Sequence, residues 1–116
     1  RFLKLNVSGA FHSPFMNEPS AKFSEYLKQI KFKNPSVPVI SNYEPSLCSD
    51  PNELKIRLEN QMCNGVRWRE TMDLMAKDSD LHIVEIGPSN VLSGLAKRHL
   101  KNVKISQVSS SEQINY

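Results

Sequence analysis

The sequence predicts an α/β fold with a mostly parallel sheet, on three observations. Segments of strand and helix character alternate along the chain. Residues 81–96 pass from a nearly continuous apolar run, Leu81-His82-Ile83-Val84-Glu85-Ile86, through a tight turn into an amphipathic helix. Buried parallel strands read this way. The chain has 116 residues, of which 39% are hydrophobic and 23% charged, so it is globular and has room for one domain at most.

The elements follow in order. Leu3 to Val7 alternates apolar and polar, which suits a half-buried strand. Ser8-Gly9-Ala10-Phe11-His12-Ser13-Pro14 is a turn punctuated by Gly and Pro. A helix is expected from about Glu18, with Pro19 in its first turn and Phe23, Tyr26, Leu27 and Ile30 as its apolar stripe. Val37-Pro38-Val39-Ile40-Ser41 reads as a short strand, placed by Pro38 at an edge or an entry point. Residues 42–50 read as a loop. Asp50, Pro51 and Glu53 then give an N-cap, a first-turn proline and a capping-box glutamate for a second helix, whose face carries Leu54, Leu58 and Gln61. Asn64-Gly65 stops that helix, and Trp68, Met72 and Met75 mark a third. After the 81–86 strand, Gly87-Pro88-Ser89-Asn90 turns into a helix with Val91, Leu92, Leu95 and Ala96, capped by Ser89 or Asn90. Residues 103–108 offer another strand, and residues 109–116 a frayed polar tail.

Fifteen basic against twelve acidic residues leave a net charge of +3. That excess suits anionic small ligands or an acidic partner and is too small to argue for nucleic acid. No apolar run reaches the roughly 18 residues of a membrane helix, and the first residues do not read as a signal peptide. Cys48 and Cys63 form no metal or redox spacing, so free thiols in an intracellular compartment are expected, with no metal and no cofactor.

His12 is the first candidate for chemistry. It stands on a loop between strand and helix, where a scaffold can aim a general base that works near neutral pH. A loop imidazole bonded only to backbone is the other reading of the same position. His82 at a strand start and His99 at a helix end read as structural, the latter complementing the helix dipole with Lys97 and Arg98. Gly87-Pro88-Ser89-Asn90 supplies the first half of a Gly-x-Ser-x-Gly elbow, but Val91 stands where the second glycine belongs. No complete nucleophile motif exists in the chain. Lys28, Lys31 and Lys33 gather near one helix end, and Lys97, Arg98, Lys101 and Lys104 near another. These are either solvated helix termini or a rim for phosphates or an acidic carrier protein.

Four motifs, in order, form a series. They are Val7-Ser8-Gly9-Ala10-Phe11-His12-Ser13; Pro38-Val39-Ile40-Ser41-Asn42; Gln61-Met62 with Val66-Arg67-Trp68; and Glu85-Ile86-Gly87-Pro88 with 91–98, Val-Leu-Ser-Gly-Leu-Ala-Lys-Arg. The series resembles the C-terminal part of malonyl-CoA:acyl carrier protein transacylases and the related acyltransferase domains of fatty-acid and polyketide synthases, over residues 1–108. The resemblance implies the C-terminal half of an α/β-hydrolase-like core. Residues 1–7 would end a ferredoxin-like small subdomain, 8–108 would belong to the large subdomain, and 109–116 would be a tail. It implies ping-pong transfer of a malonyl group from malonyl-CoA to the pantetheine thiol of acyl carrier protein through an acyl-serine. His12 matches the family's catalytic histidine, and Gln61 the residue whose backbone carbonyl orients it. Arg1 matches a basic position used near the coenzyme A phosphates. Phe11 matches an aromatic of malonyl-selective relatives, where methylmalonyl-selective ones carry a smaller residue.

The family's nucleophilic serine, oxyanion-hole glutamine and malonyl-binding arginine have no counterpart here, and all are expected before Arg1. The isolated chain is therefore expected to be inactive. Two rivals share these features: a non-catalytic module that holds an acidic carrier protein, and part of an acyl-thioester hydrolase. The compartment expected is the cytoplasm or an organelle.

Overall fold

A computed structural model describes residues 9–114. The expected strand at residues 3–7 and the basic position Arg1 lie outside the described residues. The rest falls into two compact units, one running through Trp68 and the other beginning at Arg69.

The first unit opens with a 3-10 turn, Pro14–Met16, that leads into α1, Asn17–Lys28. Only Leu27 of its expected stripe is fully buried; Phe23 is half-buried, and Tyr26 and Ile30 are exposed. A hairpin of two short strands follows, β1 (Val39–Ile40) and β2 (Leu47–Cys48), paired antiparallel. The second strand lies within residues expected to form only a loop. Its connection to β1 is far shorter than the dozen or more residues a parallel crossover needs, so the pair is antiparallel. Arg57 fixes this loop. Its buried guanidinium donates to the carbonyls of Glu44 and Ser46 and to the Ser46 hydroxyl, while its Nε meets Glu53 at 3.0 Å.

Arg57 lies on α2, Pro51–Gln61. The Asp50 carboxylate accepts from Glu53 N at 2.7 Å, which satisfies one of the orphan donors at the helix start. The Glu53 side chain turns to Arg57 rather than back to the cap, so half of the expected capping box forms. Phe32, Ile40, Leu54, Leu58 and Gln61 help line an open, largely apolar cleft of about 380 Å³ in this unit.

Helix α3, Trp68–Met75, buries Thr71 and Met72. In the second unit β3 (His82–Ile86) pairs in parallel with β4 (Lys104–Val108), and α4 (Val91–His99) crosses between them. The ladder continues past β3 through Gly87 N, which donates to the Val108 carbonyl at 2.9 Å. Gly87 has φ +149°, open to glycine and strained for other residues, and this is how the strand breaks toward the helix.

Three expectations fail here. The apolar strand is not buried throughout: Val84 and Ile86 are exposed, 44% and 82%, while the charged Glu85 between them is buried. Alternation along the strand forces this, because Glu85 points toward α4 and its neighbours point away. On α4 the inward face is Ser93, Ala96 and the following Leu100, whereas Val91 and Leu92 are exposed. Within residues 109–114, where a frayed tail is expected, Ser111–Gln113 forms a 3-10 turn, and the Gln113 side chain accepts from Ser110 N at 3.3 Å.

Candidate active site

His12 is held by the C-terminal end of α2. Its backbone N–H donates to the Met62 carbonyl at 2.8 Å. Its Nδ1 lies 3.1 Å from the Gln61 carbonyl and 3.0 Å from the Asn64 carbonyl. His12 itself sits at φ +64°, a left-handed conformation that is uncommon for a residue with a side chain and clusters at functional sites.

This geometry decides the tautomer. A carbonyl oxygen only accepts, so a ring nitrogen between two of them must carry the hydrogen. The neutral imidazole is then protonated on Nδ1, and Nε2 keeps its lone pair. The Gln61 carbonyl is one that α2 leaves without a partner at its C-terminus, where the macrodipole is negative, and the Asn64 carbonyl follows in the turn just beyond it. They face the positive charge that the ring takes on when Nε2 gains a proton. The arrangement can therefore accept a proton at Nε2 and return it, with no carboxylate beside the ring.

The sequence-singled residues divide clearly. His12 and the Gln61 carbonyl are brought together. Phe11, next to His12, is 56% exposed, and its ring lies over Gly9 so closely that a Cβ there would come within 3.1 Å of it. The Met62 and Asn64 carbonyls carry no signal in the sequence, since any residue offers a carbonyl; Asn64-Gly65 is legible only as a helix stop.

Ser89 is not in an elbow. Its hydroxyl donates to Glu85 Oε1 at 3.4 Å, and the Asn90 side chain makes no capping bond. The cap of α4 comes from Glu85, whose carboxylate accepts from Leu92 N at 3.2 Å and Ser93 N at 2.8 Å. The Ser93 hydroxyl leads the groups that hold this carboxyl below the usual carboxylate range, followed by the Ser93 and Leu92 N–H groups and the Ser89 hydroxyl; burial opposes them. The Ser93 hydroxyl falls outside hydrogen-bond geometry, so we assign the larger part of the effect to the 2.8 Å bond from Ser93 N. His82 pairs through Nε2 with the Ser106 hydroxyl at 2.7 Å, and His99 with Asp73 at the same distance. Among the described residues no group of three His, Cys, Asp or Glu could hold a metal ion, and no helix is long and apolar enough to cross a membrane.

No protein-family model matches the chain. It is 39% identical over 115 residues to the malonyl CoA-acyl carrier protein transacylase of Synechocystis, covering 99% of this chain and 39% of the relative. The crystal structure of the Synechocystis malonyl-CoA:ACP transacylase superposes with a TM-score of 0.86 at 40% identity, over 93% of this chain and 37% of that one. A chain in the structure of a type II PKS acyl-carrier protein in complex with its malonyl-transacylase matches with a TM-score of 0.85 at 30% identity, over 93% of this chain and 35% of that one. The chain thus spans less than two-fifths of the length of these relatives. Over nearly all of its own residues the chain is similar in both sequence and fold to malonyl-CoA:acyl carrier protein transacylases.

Proposed function

We propose that this chain supplies the general base of an acyltransferase that moves a malonyl group from coenzyme A to the pantetheine thiol of acyl carrier protein, for fatty-acid biosynthesis. The observation that carries the reading is the pair of carbonyls on His12 Nδ1, which leaves Nε2 free to take a proton. In the first half-reaction Nε2 accepts the proton of a serine hydroxyl as its oxygen attacks the malonyl thioester carbonyl. The tetrahedral intermediate collapses, the C–S bond breaks, and the proton passes from Nε2 to the departing coenzyme A sulfur. A thiol with a pKa of about 8.5 leaves readily, so a mild acid suffices. In the second half Nε2 takes the pantetheine thiol proton, the thiolate attacks the acyl-serine, and the serine oxygen leaves with that proton. The serine is the family's and has no counterpart motif among these residues.

Arg1 is assigned to the coenzyme A phosphates, and Phe11 to the choice of acyl group. Residues 1–7 are assigned to the small subdomain and 8–108 to the large one. Cys48 and Cys63 are free thiols, in keeping with an intracellular, cytoplasmic or organellar, setting.

The test is His12→Ala in the full-length protein. Acyl-enzyme formation from malonyl-CoA is expected to fall by at least about 10²-fold. The melting temperature should hold, because His12 is an exposed loop residue. A normal burst of acyl-enzyme in a folded variant would return His12 to a structural role.

A further inference from the structure

We infer that the Asn64 side chain is a positioning residue for His12: it locks the turn after α2 so that its own carbonyl becomes the second acceptor on Nδ1. The inference rests on the reading of His12 as the base.

The turn needs such a lock. Residues 62–65 follow the last residue of α2, where the helical ladder is running out and its bond from Asn64 N is long, and Gly65 adds a residue of high conformational freedom. Asn64 is nevertheless tied down twice to one atom. Its backbone N–H reaches the Asn60 carbonyl at 3.3 Å, and its side-chain Nδ2 donates to the same oxygen at 2.7 Å. Asn60 repeats the device one turn earlier, its Nδ2 donating to the Ile56 carbonyl at 2.9 Å. The shorter of the two Asn64 bonds comes from the side chain, and with it the Asn64 carbonyl is presented at 3.0 Å from His12 Nδ1.

Two acceptors do what one does not. A single carbonyl lets the imidazole pivot about one hydrogen bond and swing Nε2; two, on either side of the Nδ1–H, set the ring plane. A base misplaced by about 1 Å costs on the order of 10²-fold in rate. Loss of the Asn64 tether leaves the Gln61 carbonyl in place and allows only part of that displacement.

The experiment compares Asn64→Ala and Asn64→Ser with the parent full-length protein, the serine hydroxyl being able to donate to the carbonyl four residues back. Two quantities are read: steady-state malonyl transfer, and the nitrogen NMR spectrum of His12 in ¹⁵N-histidine-labelled protein, assigned by its loss in His12→Ala. For Asn64→Ala the expectation is a kcat lower by roughly 10-fold, a KM within about twofold, and His12 nitrogen resonances displaced from those of the parent. Asn64→Ser should restore both. A parent-like His12 spectrum and kcat in Asn64→Ala overturns the inference. Should Asn64→Ala not fold, Asn64→Asp replaces it, since a carboxylate cannot donate to the Asn60 carbonyl; a spectrum equal to that of Asn64→Ser then overturns it. The spectrum tests the positioning itself, whereas an active His12→Ala protein would overturn the assignment of the base and leave the positioning standing.

Discussion

The C-terminal end of α2 and the N-terminal end of α4 solve the same problem with different side chains. Each helix end leaves backbone groups without helical partners. At α2 these are carbonyls, and His12, some 49 residues before Gln61 in the chain, donates to them. At α4 they are N–H groups, and Glu85, seven residues before Leu92, accepts from them. Glu85 is committed entirely: both carboxylate oxygens are used, and the group is buried. His12 uses its backbone N–H and Nδ1 and keeps Nε2 in reserve on an exposed ring. A group whose every atom is satisfied holds structure. A group that is oriented by part of its hydrogen-bonding capacity and open in the rest can do chemistry.

Substitutions near the two ends should therefore separate in what they change. Beside His12, Phe11→Ser in the full-length protein should alter selectivity and leave folding alone, since the ring is more than half exposed. If His12 is the base as proposed, removing the aromatic next to it would open space for an α-methyl branch, and a methyl in a shaped pocket is worth about 1–3 kcal/mol, or roughly 10- to 200-fold in relative kcat/KM. The ratio for malonyl against methylmalonyl thioesters is the measurement. An unchanged ratio in a variant that melts like the parent removes Phe11 from the specificity role.

At the other end Glu85→Gln should lower the melting temperature by several degrees and leave His12 chemistry intact. The amide keeps one acceptor, but its NH₂ faces the backbone N–H groups that the second carboxylate oxygen now serves. The folded carboxyl titrates below its ordinary 4.5. Its contribution is thus complete above that pH and is lost as pH falls through the lower folded-state value. The gap in melting temperature between parent and variant should be widest near neutrality and close on acidification below 4.5. A gap that does not depend on pH would show that the charge of Glu85 is not what caps α4.

The two ends were also unequally legible. The start of α2 could be read because its cap is local: Asp50 meets Glu53 N across three residues, and Pro51 follows at once. The start of α4 is legible in position only: Asn90 is its N-cap residue, as expected, but its side chain makes no capping bond. Ser89 and Asn90 have the residue types of caps, but Glu85 reaches the same donors from the strand, and a carboxylate inside an apolar run does not announce that task. The same bond puts Ser93 and Ala96 inward, which is why Val91 and Leu92, apolar and well spaced, end up exposed. Strand β2 was invisible because two residues are too short for a period to show. At the site, His12 could be singled out by its loop and by resemblance. The atoms that orient it are main-chain oxygens up to 52 residues away, and no residue type encodes them.

That last point gives the smallest effect and the sharpest contrast with Glu85. Gln61 meets His12 through its carbonyl, so Gln61→Ala keeps the contacting atom. Alanine is also the strongest helix former, and position 61 closes α2, so the helix end should not move. What is lost is a half-buried side chain that helps line the apolar cleft. Malonyl transfer in the full-length protein should fall by less than about threefold, within the roughly 1 kcal/mol that a surface or half-buried contact carries. The His12 nitrogen spectrum should be that of the parent. A loss approaching that of His12→Ala, with the spectrum unchanged, would mean that the Gln61 amide itself meets substrate; with the spectrum altered, that it holds the turn as Asn64 does. Glu85→Gln, by contrast, changes the contacting atom itself, and there a substitution of one oxygen by one nitrogen should be felt in full.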